Sequence, residues 1–269
     1  MSGSQTGGGA GTHVDRFSVP VDTRAPGGST NAYVVGTDET LLVDPAARTD
    51  TLDTVVREKV ADHVAVTHTH PDHVGAVAAY AAETGATVWA RRGYEDRFVD
   101  ATGVEPDRTF LAGDSVGPTT VVALPGHAPD GVGFETRNGV VCGDVAVAEG
   151  SVVVAAPEGD MRAYLTTLRR LHARDPPALF PGHGPRIDDT RATCARLIDH
   201  RRDRERAVLA AVRGGATDLD GVLERAYEKD LTGVRDLARA TVRAHVEKLA
   251  RERRVRWDPS SGTVEAGDE

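Results

Sequence analysis

The stretch His68-Thr-His70-Pro-Asp72-His73 packs four metal-competent side chains into six residues. Residues two apart at the end of an extended strand point the same way, so His68 and His70 can offer two imidazoles to one ion. Asp72 and His73 fall in the first turn of the helix that Pro71 opens, from which they can turn toward a neighbouring point. A single loop can thereby serve two adjacent cations. A lone histidine pair in a turn is ordinarily solvated, but four candidate ligands at one strand-to-helix junction call for a metal. Three further candidates follow apolar runs, in Pro125-Gly-His127, Cys142-Gly-Asp144 and Pro181-Gly-His183. The glycine before each one lets the backbone turn sharply and lets the side chain come close to an ion.

Strands, helices and turns must bring these loops together. Asn31 to Asp44 is two apolar runs around Gly36-Thr-Asp38, a hairpin signal that leaves Asp44 at a strand exit. Asp50 to Lys59 has helical spacing, and His63 to Thr67 is a short buried-type strand running into His68. Pro71 to Thr84 predicts one helix, with proline in its first turn. Further strands are expected at Thr87 to Ala90, Thr119 to Leu124, Val132 to Thr136, Val140 to Cys142, Val152 to Ala155 and Ala178 to Phe180, and a helix at Asp160 to Ala173. Beyond Asp188 the pattern turns helical, with a break at Gly214-Gly215, helices near Leu219 to Tyr227 and Leu237 to Arg251, and a hairpin formed by residues 254–257 and 263–264.

The chain has 269 residues, net charge -9 and two cysteines. Cys142 sits in a buried-type strand, so neither thiol is expected in a disulfide. Only Lys59, Lys229 and Lys248 are lysines, which leaves arginine to carry nearly all the positive charge. Residues 199–258 hold 15 basic and 12 acidic side chains, a balance of +3 that leaves -12 elsewhere. Three segments are expected: a disordered tail over 1–12, poor in apolar residues, a catalytic domain over 13–198 and a C-terminal domain over 199–269. With neither a secretory leader nor a run of roughly 20 apolar residues, the expectation is a soluble cytoplasmic protein.

Taken in order, these motifs resemble those of the metallo-β-lactamase superfamily: a strand-end Asp (Asp44), HxHxDH (His68 to His73), a His (His127), an Asp (Asp144) and a final His (His183). The resemblance covers roughly residues 14 to 200. It implies an α/β fold, an αββα sandwich with two metals at one edge of its sheets. It further implies that His68, His70 and His127 hold the first ion, that Asp72, His73 and His183 hold the second, and that Asp144 bridges them. Asp44 would orient a ligand imidazole. On the same resemblance Asp72 and Asp144 would be the catalytic carboxylates. The implied nucleophile is water deprotonated between two zinc ions, with iron or manganese as substitutes.

Within the superfamily, the main class of true β-lactamases carries a thiolate where Asp144 stands, and Cys142 lies two positions away. The diiron oxygen reductases carry Glu where His70 stands. The 38 residues between Asp144 and His183 leave no room for the large insertion of the nucleic-acid-processing branch. Two activities stay open. One is cleavage of a small acyl-thioester or ester, similar to glyoxalase II. The other is single-strand RNA cleavage, similar to the lactamase-β-like branch, whose short tail resembles a winged helix. In that reading Arg251, Arg253, Arg254 and Arg256 meet phosphates and Trp257 stacks a base. A third use, a DNA-binding metal sensor, is opposed by a prospective recognition helix that offers Ala240, Val242 and Ala244. Such a tail otherwise covers the active-site mouth or forms a homodimer surface. His200 and His245 are expected on helix surfaces.

Overall fold

The computed structural model of the protein describes residues 12–228 and 230–267, so most of the expected tail over 1–12 lies outside the described residues. Six strands form one sheet in sequence order: β1 (Val14–Pro20), β2 (Ser29–Val35), β3 (Leu41–Val43), β4 (His63–Ala65), β5 (Thr87–Arg91) and β6 (Arg108–Phe110). The second sheet runs β11 (Leu179–Pro181), β10 (Gly139–Gly143), β9 (Val132–Thr136), β8 (Thr119–Ala123) and β7 (Ser115–Val116).

Strand periodicity explains the layering. Side chains alternate across a sheet, so a strand that is apolar at every position must be covered on both faces. In β2, Tyr33 and Val35 enter the core between the sheets, where they meet Phe134, Val141 and Phe180. Ala32 and Val34 point the other way, into a core closed by α1 (Asp50–Lys59), α3 (Val77–Thr84) and α4 (Glu95–Thr102), through Leu52, Tyr80 and Phe98. In β10, Val141 faces the first sheet while Val140 and Cys142 face Tyr164 and Leu168 of α5 (Met161–Arg174) and Leu197 of α6 (Thr190–Arg213). The result is the expected helix-sheet-sheet-helix sandwich.

Local departures from the sequence reading have identifiable causes. The helix expected over Pro71 to Thr84 is split into α2 (Pro71–Val74) and α3. Ala76 N–H donates to Pro45 O at 2.8 Å instead of continuing the helix, and a Cβ on Gly75 would lie 2.5 Å from Ala46 O. Val152 to Ala155 buries Val152 and Val154 but is not a strand. Side chains occupy its carbonyls, with His127 Nδ1 on Val153 O and Arg201 on Val152 O. The pattern also missed β1, α4, β6 and β7. The strands are very short or mix polar with apolar residues, as in Val14-Asp-Arg-Phe-Ser-Val-Pro20, and α4 buries only Phe98.

The junction expected between residues 198 and 199 falls inside the 24-residue α6. The first half of this helix packs on α5 through Cys194, Leu197 and Ile198. Its second half, with Val208, Leu209 and Val212, builds a separate core with α7 (Leu219–Ala226), α8 (Arg235–Arg251) and the hairpin of β12 (Val255–Asp258) and β13 (Thr263–Ala266). One continuous rod therefore joins the two cores. Ala244 of α8 reaches the α5 core, Ala156 N–H donates to Ala240 O at 3.1 Å, and Arg251 pairs with Asp160 at 2.5 Å. The face of α8 that a DNA reader would turn outward is thus largely packed. His245 is not on the surface as expected: it is fully buried against α6, its Nδ1 3.9 Å from Glu205 Oε2. The Lys248 ammonium lies 2.7 Å from the same oxygen. Burial opposes ionisation of Glu205, but His245 and Lys248 hold its pKa down at about 2. Cys142 and Cys194 are both free, as expected. No described helix is long and apolar enough to cross a membrane.

Candidate metal centre

Asp72 and His73 sit in the short helix α2, and the other candidates leave the C-terminal end of a strand or the loop that follows it. Asp44 follows β3, His68 follows β4, His127 follows β8, Asp144 follows β10 and His183 follows β11. Because β3 runs parallel to β4 and β10 parallel to β11, these ends lie along one edge of the sandwich. Glycine makes the close approach possible. A Cβ on Gly126 would lie 2.3 Å from the Tyr164 backbone, and one on Gly182 would lie 2.4 Å from Asp144 Oδ1 and 2.7 Å from the His73 ring.

The side chains converge. His68 Nε2 lies 3.0 Å from His70 Nδ1, and His127 Nε2 lies 2.9 Å from the same atom. On the other flank, His183 Nε2 is 3.5 Å from Asp72 Oδ2, and the His73 and His183 rings are 5.3 Å apart. Asp144 stands between the two flanks, with Oδ1 3.6 Å from His73 Nε2 and Oδ2 3.7 Å from His127 Nε2 and 3.3 Å from His183 Nε2. The groups close enough to share an ion are His68 with His70 and His127, His68 with His73 and Asp144, and Asp72 with His73 and His183. All seven sequence candidates are therefore brought together.

The donor set fits divalent cations. His73 Nε2 and Asp144 Oδ1 are fully buried and have no hydrogen-bond partner, a costly arrangement unless an ion satisfies both. The outward nitrogens, by contrast, are each held: His68 Nδ1 by Thr67 Oγ1 at 3.1 Å, His127 Nδ1 by Val153 O at 2.7 Å and His183 Nδ1 by Ser29 O at 2.8 Å. His73 Nδ1 lies 3.0 Å from Asp44 Oδ2, a contact through which a carboxylate can orient the ring. Thr67 N–H and Oγ1–H also donate to Asp44, at 2.6 and 2.7 Å. Two contacts escaped the sequence reading because no motif signals them. Thr23 donates to Asp72 Oδ2 at 2.5 Å, and Glu158 lies 3.2 Å from His70 Nε2.

Electrostatics differ between the two flanks. Burial and neighbouring imidazoles push His68 well below its ordinary pKa, and burial lowers His127, so both are held neutral, the form that binds metal. Burial works against ionisation of Asp144, yet His73, His183 and His127 hold it well below the usual carboxylate range. Burial likewise opposes a charge on His73, but Asp44 and Asp144 raise its pKa to about 9. Positive charge is what this position attracts.

The sequence profile of the Metallo-beta-lactamase superfamily matches residues 25–183. Among curated relatives, the Beta-lactamase-like protein 2 homolog of Caenorhabditis elegans is 26% identical over 83% of this chain and 79% of its own. Thioesterase pkgB of Emericella nidulans is 28% identical over 75% of this chain, which spans 62% of the length of that enzyme. The structure of a beta-lactamase domain protein from Burkholderia ambifaria shares the fold with TM-score 0.78 and 19% identity, covering 94% of this chain and 91% of its own. That coverage is too large to stop short of the C-terminal helices. TTHA1623, solved in a di-iron-bound form, is 28% identical with TM-score 0.54, over 67% of this chain and 98% of its own. The profile match, with a histidine and carboxylate cluster built to take divalent ions, shows that this chain belongs to the metallo-beta-lactamase superfamily and is a metal-dependent hydrolase.

Proposed function

We propose that the protein hydrolyses acyl-thioesters or related esters of small molecules at a dinuclear zinc centre. His68, His70 and His127 would hold one ion, Asp72, His73 and His183 the other, and Asp144 both. The placement of Asp144 between the two groups of imidazoles is the observation that carries this reading. Nitrogen and oxygen donors with histidine in excess favour zinc over harder ions, and the di-iron form of TTHA1623 makes iron the first substitute to test. When bound, the pair of cations supplies a water of lowered pKa and polarises the carbonyl under attack.

The remaining chemistry belongs to the chain. Asp44, fully buried, fixes the ring of His73, while the backbone carbonyls of Val153 and Ser29 fix those of His127 and His183. Thr23 holds Asp72 from the loop between β1 and β2. A thiolate leaving group needs little protonation, so no separate acid is required.

The surroundings favour a small ester over a polyanion. The cleft beside His70 is lined by Thr69, Pro71, Arg97, Asp100 and Glu158, and Glu158 neutralises Arg97 with both carboxylate oxygens. Excluding residues 199–258, the chain carries -12. Several arginines expected to meet RNA have acidic partners. Arg251 pairs with Asp160, Arg254 lies 3.7 Å from Glu205, and Arg256 pairs with Glu265. The name of thioesterase pkgB points the same way. The C-terminal three-helix and hairpin unit is read as winged-helix-like, serving as a brace for the catalytic core, with nucleic acid and DNA sensing as the readings it must beat.

A parallel assay of an acyl-thioester and a single-stranded oligoribonucleotide, with zinc or manganese supplied, tests this. Thioester turnover exceeding RNA cleavage by at least about a hundredfold in kcat/KM, or about 2.7 kcal/mol of transition-state discrimination, is the expected result. Efficient RNA cleavage with no thioester turnover would reverse the assignment.

A further inference from the structure

Four of the five imidazoles at the centre lean on buried or backbone partners. His70 does not. Its outward nitrogen, Nε2, faces Glu158, whose side chain is 45% exposed on the loop before α5. Such a carboxylate would ordinarily swing freely in solvent. Here Arg97 of α4 grips it bidentately, Nη1 to Oε1 and Nη2 to Oε2, both at 2.9 Å. The same guanidinium donates through Nε to Thr69 Oγ1 at 2.7 Å and lies 3.6 Å from Asp130 Oδ1. Asp130 in turn accepts the Thr69 N–H at 2.9 Å.

Arg97 therefore ties together three segments: the loop carrying His68 and His70, the turn after His127, and the loop carrying Glu158. Two of these bear the three imidazoles of the first ion. Resting on the dinuclear reading above, we propose that Arg97 and Glu158 are the positioning pair of that ion, with Glu158 orienting the His70 ring and Arg97 orienting Glu158. Neither residue touches the position of the ion. They act through His70, as an outer carboxylate does when it fixes the tautomer and direction of a ligating imidazole.

Zinc titrated into the metal-free protein against a chromophoric chelator, for wild type, Glu158→Ala, Glu158→Gln and Arg97→Ala, tests the proposal. In Glu158→Ala one of the two dissociation constants is expected to rise by about 10- to 100-fold while the other stays put. Arg97→Ala should weaken the same constant by less. Glu158→Gln, which keeps an acceptor oxygen, should recover part of the loss. Melting temperatures of the metal-free forms should match, because Glu158 is too exposed to matter to the core. Unchanged constants in Glu158→Ala would overturn the positioning role alone, as would equal loss at both sites with a lowered melting temperature. A wild type that takes up no zinc would sink the dinuclear reading, and this inference with it.

Discussion

His70→Ala and Asp144→Ala are each expected to lower kcat/KM by at least about a thousandfold, roughly 4 kcal/mol of transition-state stabilisation. The two losses have different physical origins. His70 Nδ1 is the atom on which His68 and His127 converge, within 3.0 Å, so its removal opens one flank of the centre. Asp144 is the carboxylate within 4 Å of His73, His127 and His183, so its removal leaves three imidazoles with no anion between them. The His70 side chain is 26% exposed, and its loss removes little packing. His70→Ala should therefore keep the secondary structure and melting behaviour of the metal-free wild type, as read by circular dichroism. An active His70→Ala enzyme would show that the chemistry lies elsewhere.

Gly126→Ala should act through the fold instead. The backbone at Gly126 has φ +132°, which L side chains rarely adopt, and the added Cβ would meet Tyr164 N and Cα at 2.3 Å. Left-handed strain costs on the order of 1–3 kcal/mol and overpacking a similar amount, so the combined loss is about 2–6 kcal/mol. Tyr164 is fully buried in the first turns of α5 and cannot yield without disturbing the core beneath the second sheet. Denaturant unfolding of the metal-free protein measures this. A variant as stable as wild type would mean that the turn before His127 is not under the constraint described.

The centre was legible in the sequence because ligation demands particular side chains, and four short motifs supply them whatever the intervening chain does. The role of Asp44 came from the resemblance alone, since a carboxylate at a strand exit does not by itself declare a partner. The contacts of Glu158, Arg97 and Thr23 were not legible, since each lies on a loop or helix whose approach is decided by tertiary packing and each is a residue type common on any surface. Among the elements, the apolar runs of β2, β9 and β10 were readable. Val152 to Ala155 misled because apolarity reports burial, whereas a strand also needs a neighbour for its backbone, and here Arg201 and His127 take that place. His245 misled in the opposite sense: a polar residue in a charged helix reads as exposed until α6 is laid against it.

The metal content of the purified protein tests the dinuclear centre most directly. Elemental analysis of active wild type should give close to two equivalents of a divalent metal per chain, falling on chelation together with activity and restored with it. Protein that turns over substrate at full rate while carrying no metal would contradict the assignment of the seven converging side chains as its ligands.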